Sequence, residues 1–145
     1  MEYVMDTWEG ITLLLLNGHN DTVQLLADWF GALGAVVHHG RTLDLCSNAD
    51  TGRTMIETLR PDAILFDLAI PYDRNWECFK RLKSMGMFGD APVILTTVNR
   101  AALDRLVGPT DAFEVIGTPH DLWRLQDLVE WRISGKHAPA PTSRQ

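Results

Sequence analysis

Most of what would announce a chemistry is missing from this chain. Only two cysteines occur in 145 residues, Cys46 and Cys78, with no paired spacing. That excludes a cysteine-based zinc framework and leads us to expect two small packing residues in a reducing compartment. Neither a Gly-x-Gly-x-x-Gly nor a Gly-Lys-Ser/Thr phosphate loop is present, so a nucleotide enzyme has little to stand on. Basic residues are outnumbered, 13 Lys and Arg against 19 Asp and Glu, a net charge of −6, which argues against a nucleic-acid surface. No apolar run approaches the ~20 residues of a membrane helix; Leu13, Leu14, Leu15 and Leu16 make a strand-sized one. The first residues lack a basic stretch followed by an apolar one, so no secretory signal is read there. What is present, 46% hydrophobic and 22% charged residues, is ordinary globular composition. A chain of this size buries enough surface for a core of its own. The expectation is one acidic, soluble, cytoplasmic domain without nucleic-acid or membrane partners.

Short apolar runs recur at 11–16, 35–37, 63–66, 93–95 and 113–116. Most are continuous rather than alternating, as parallel strands covered on both faces are. Helix-period segments lie between them. In the first, Val23, Leu26, Phe30 and Leu33 share a face, and Gly34 is a stop signal. Further helices are expected at about 47–59, from Asn75 to just before Gly86, at 99–107, and from Pro119 to 133. Strand then helix, five times, predicts an α/β fold: a doubly wound five-stranded parallel sheet with right-handed crossovers and helices on both faces. Residues 134–145 carry two prolines and no large apolar side chain and read as a disordered tail. Residues 1–10 form an N-terminal arm whose Tyr3, Val4, Met5 and Trp8 predict some docking. That leaves 11–133 as the domain.

Ligands of such sheets bind beyond the carboxyl ends of the strands. This rule selects Asn17, Gly18 and His19 after the first strand, His38 and His39 after the second, and Asp67 after the third. Thr96 and Thr97 follow the fourth, and Gly117, Thr118, Pro119 and His120 the fifth. The stretch 61–71, PDAILFDLAIP, resembles the phosphoacceptor strand and loop of receiver domains in two-component response regulators: an Asp ends the strand and a Pro follows four residues later. The stretch 92–97, PVILTT, is similar to that family's fourth strand. The resemblance covers about 11–133. It implies the strand order 2-1-3-4-5, Asp67 as phosphoacceptor and Thr97 as the hydroxyl that would bond a phosphoryl group. It also implies a histidine kinase or other signalling protein as partner, with output through protein contact.

Departures from the family pattern are equally specific. Receivers end the first strand with two acidic residues that hold Mg²⁺; here Asn17 and Gly18 stand at those positions. A Lys usually precedes the Pro after the fifth strand, where this chain has Thr118. The aromatic switch position of that strand is matched by Val115, with Phe113 two positions away. Gathering negative charge on a transferred phosphoryl group requires neutralisation, and Mg²⁺ normally takes one or two carboxylates. Asp67, neutral Asn17 and a main-chain carbonyl near Ala69 leave at most a weak Mg²⁺ site, and no other metal or cofactor is expected. His19 and His120 lie on loops at this end and are expected to face solvent. His38 and His39, adjacent in a strand, point to opposite faces and cannot easily share an ion.

On the last helix Leu122, Leu125, Val129 and Ile133 form one stripe at ~100° per residue, while Trp123 and Trp131 fall outside it. These tryptophans are candidates for a protein interface. The surface built from the fourth helix, fifth strand and fifth helix, which receivers use for contact, would suit a partner or a homodimer. The resulting expectation is a single-domain, atypical receiver, not an enzyme. The alternative is a small nucleotide- or cofactor-binding enzyme using Asn17, His19, Asp67 and His120.

Overall fold

In the computed structural model, which describes residues 8–134, five strands run parallel in the order β2-β1-β3-β4-β5. In chain order the elements are β1 (Thr12–Leu16), α1 (Asn20–Ala32), β2 (Val36–Gly40), α2 (Thr42–Ser47), α3 (Ala49–Leu59), β3 (Ala63–Asp67), α4 (Tyr72–Ser84), β4 (Val93–Thr97), α5 (Arg100–Val107), β5 (Phe113–Glu114) and α6 (Pro119–Ser134). This is an α/β, flavodoxin-like fold, with the class and strand order expected. No described helix is long and apolar enough to cross a membrane.

Alternation along the strands divides the core into two layers. Leu14, Leu16, Ile64, Phe66 and Leu95 point to one face, where Ile56 of α3, Phe79 and Leu82 of α4 and Leu103 of α5 cover them. Leu13, Leu15, Leu65 and Ile94 point to the other, under Val23, Leu26 and Phe30 of α1 and Leu122, Leu125 and Val129 of α6. The stripe read on the last helix therefore does face the sheet. Trp8 belongs to this second layer. It is buried, lies 5.3 Å from the Phe30 ring, and its indole N–H donates to Glu130. The expected arm and tail otherwise fall on 1–7 and 135–145, outside the described residues, and Ser134 is the last residue of α6.

Three local differences from the expected elements have physical causes. The helix expected at 47–59 starts at Ala49, where the Asn48 side chain accepts the Thr51 N–H as a cap, and a separate short helix, α2, precedes it at 42–47 where none was expected. The helix expected from Asn75 begins earlier, at Tyr72, directly after Pro71. β5 is shorter than the expected run, Phe113–Glu114; the Val115 N–H still donates to the Thr97 carbonyl, and the Ile116 N–H donates to the Asp121 carboxylate as the chain enters α6.

One expectation is overturned. Cys46 and Cys78 are not independent packing residues: their Cα atoms lie 5.9 Å apart and they form a disulfide joining α2 to α4. Sequence spacing gave no hint, because the two lie 32 residues apart and are brought together only by the crossover around β3. With the pair bonded, the cysteine argument for a reducing compartment falls away.

α2 and α3 pack closely because Gly52 has no side chain. A Cβ there would lie 2.8 Å from Leu45 Cγ, and Leu45 is itself buried. Gly52→Ala is expected to lower stability by about 1–3 kcal/mol through overpacking, despite alanine's higher helix propensity. Denaturant unfolding would check this, and a variant as stable as the native chain would refute the close contact.

Candidate functional site

At the carboxyl ends of the strands the apolar layers stop and a few polar side chains are enclosed. Asp67 is the last residue of β3 and is 5% exposed. Parallel register sets Asp67 beside Thr96, and the Thr96 hydroxyl donates to Asp67 Oδ1 at 2.9 Å. Adjacent strand residues face opposite sides. Thr97 therefore points away, its fully buried hydroxyl donating to the Leu68 carbonyl at 2.8 Å. Thr96, not Thr97, touches the carboxylate, and Thr97 holds the first residue of the following loop.

That loop is further held by Asn75, in the first turns of α4. Its amide nitrogen donates to the carbonyls of Ala69 and Pro71, each at 3.0 Å. Asn17, the residue after β1, is buried, and its Oδ1 accepts the His19 N–H at 2.8 Å. Gly18 is exposed and has nothing near where a side chain would stand. Asn17 and Gly18 therefore form a local turn that leads into α1.

Burial holds the Asp67 carboxyl above its ordinary pKa of 3.8, against the opposing pull of the Thr96 hydroxyl and the nearby His19. The donor set does not fit a tightly held Mg²⁺. Asp67 is the single carboxylate among the three positions, and the Asn17 amide oxygen and Ala69 carbonyl already accept hydrogen bonds. Among the described residues no group of three or more His, Cys, Asp or Glu is placed to hold a metal.

Thr118 has a structural occupation. It precedes α6, its hydroxyl accepts the Asp121 N–H at 3.1 Å, and Asp121 Oδ2 accepts the N–H groups of Thr118 and Ile116. This reciprocal pair is a capping box. The Thr-x-x-Asp spacing is local in the sequence, at the position where the receiver pattern has a Lys. His120 is exposed in the first turn of α6. Val115 is buried in the α1–α6 layer, and Phe113, partly buried, lies under the Arg124 guanidinium.

Of the interface candidates, Trp123 is 40% exposed and Trp131 is half-buried. Leu106 of α5 and Ile116 after β5 are also well exposed, so the α5–β5–α6 side carries apolar surface. An open cavity of about 450 Å³ lies beside the Asn17 turn, lined by Gly18 to Thr22 and Val98. No protein-family model matches the chain, and no curated protein does.

A raised pKa means the folded state binds the Asp67 proton more tightly than the unfolded state. The resulting stability is present below pH 3.8 and is lost as pH rises through the folded value. Asp67→Asn is therefore expected to raise the melting temperature at neutral pH, with the gain fading on acidification and absent below about pH 3.8. A neutral-pH loss of stability would contradict it. Thr118→Ala should cost about 1 kcal/mol at any of these pH values, by removing the cap.

Proposed function

We propose that this chain is a receiver-type signalling module that keeps the phosphoacceptor position but not the phosphoryl-transfer machinery, and that its output is contact with other proteins. The fold and strand order support the reading, as does the Asp67 carboxylate at the tip of the central β3. One observation carries it: a lone buried carboxylate, bonded to Thr96, whose would-be cationic and metal-binding neighbours are uncharged and engaged elsewhere.

Transfer of a phosphoryl group onto Asp67 would place further negative charge in a site that already disfavours one. His19 is the nearby positive influence, and it stands on an exposed turn. Switching by charge, in which a modified side chain biases a bistable element, has little to work with here. The scaffold instead offers the α5–β5–α6 side, where Leu106, Ile116 and Trp123 are exposed. A histidine kinase, another signalling protein or a second copy of the chain is the class of partner this surface fits.

Incubation with acetyl phosphate and Mg²⁺, followed by intact-mass measurement, tests the reading. The native chain is expected to gain no phosphoryl group, whereas Asn17→Asp with Gly18→Asp, which restores two carboxylates, is expected to gain Mg²⁺ affinity. Phosphorylation of the native chain that disappears in Asp67→Asn would overturn the proposal. A large thermal shift with a nucleotide or flavin would overturn it in favour of an enzyme.

A further inference from the structure

α2 is a six-residue helix, and its attachments are unusual. Its first residue, Thr42, is buried, and its hydroxyl has no hydrogen-bond partner among the described residues. Leu45 anchors it against Gly52. At its far end Cys46 is joined to Cys78 of α4, and the Arg81 guanidinium donates to the Cys46 carbonyl at 2.9 Å. The two cysteines differ in access. Cys78 is buried in the core layer, whereas Cys46 is only partly covered.

We infer that the Cys46–Cys78 bond is a reversible modification site for low-molecular-weight thiols and disulfides of the glutathione class, entered at the Cys46 sulfur. Exchange proceeds by in-line attack on one sulfur, and Cys46 is the less covered residue of the pair. A glutathione thiolate bonds to Cys46 Sγ, the Cys46–Cys78 bond breaks, and Cys78 leaves as a thiolate that takes up a proton. A second glutathione thiolate attacks the mixed disulfide, glutathione disulfide departs, and the Cys46 thiolate is protonated. Two electrons pass from two thiols to the protein bond; the reverse sequence consumes one glutathione disulfide and restores it. Opening the bond removes the covalent tie between α2 and α4, leaving the Arg81 hydrogen bond to hold them, while β1, β3 and β4 stay paired. The inference stands whether or not Asp67 accepts phosphate.

The full native chain, equilibrated in excess glutathione disulfide and separately in excess glutathione, is alkylated with a maleimide and weighed. No maleimide is expected in the first condition and two in the second, with full return on re-oxidation. Amide hydrogen exchange over 42–47 should speed up about tenfold or more on reduction, with the central strands unchanged. With glutathione disulfide, Cys78→Ser should take one glutathione on Cys46, and Cys46→Ser should take none on Cys78. The inference is overturned by thiols that remain reactive in excess glutathione disulfide, or by a bond that survives excess glutathione in the folded chain. Adducts found on Cys78 rather than Cys46, or α2 exchange that ignores the redox state, would overturn it equally.

Discussion

A parallel sheet covered by helices on both faces leaves its polar groups nowhere to go except the strand ends. In this molecule that constraint places everything of chemical interest. Leu13 to Leu16 and Ala63 to Phe66 are almost completely buried, and the first polar side chains beyond them are Asn17 and Asp67. Asp67 is thereby held in a desolvated position that an isolated carboxylate would avoid. The Thr96 hydroxyl meets part of that cost, and it does so because the β3–β4 register sets the two residues side by side.

The fold was readable because its signals are local and repeated. Five apolar runs, each followed by a helical period, left one architecture once crossovers were taken as right-handed. The α6 stripe of Leu122, Leu125 and Val129 was legible for the same reason, since a helix displays its buried face every three or four residues. Boundaries set by side-chain competition were harder. The short α2 at 42–47 was not read, and the start of α3 is set by the Asn48 side chain through a single hydrogen bond from the Thr51 N–H.

The candidate site was legible by position but not by partnership. Asp67, Asn17 and Gly18 lie where the strand-end rule puts them, yet nothing local distinguishes Thr96 from Thr97. Which of two adjacent threonines meets the carboxylate is decided by register, a relation between residues 29 apart in the chain. The same holds for Cys46 and Cys78. Thr118 is the opposite case: its Thr-x-x-Asp pattern could be read locally, and the cap it forms accounts for the residue without any phosphoryl chemistry.

α4 draws these threads together. Asn75 near its start fixes the Ala69 and Pro71 carbonyls of the loop leaving Asp67, Cys78 one turn later is bonded to α2, and Arg81 a further turn on grips the Cys46 carbonyl. A helix repeats its face every three to four residues, so the last two contacts lie on one side of α4. The loop that frames the buried carboxylate and the disulfide that holds α2 thus share a single rigid body. An event at the disulfide need not travel through the sheet to be felt beside Asp67, because the element that carries it already terminates there.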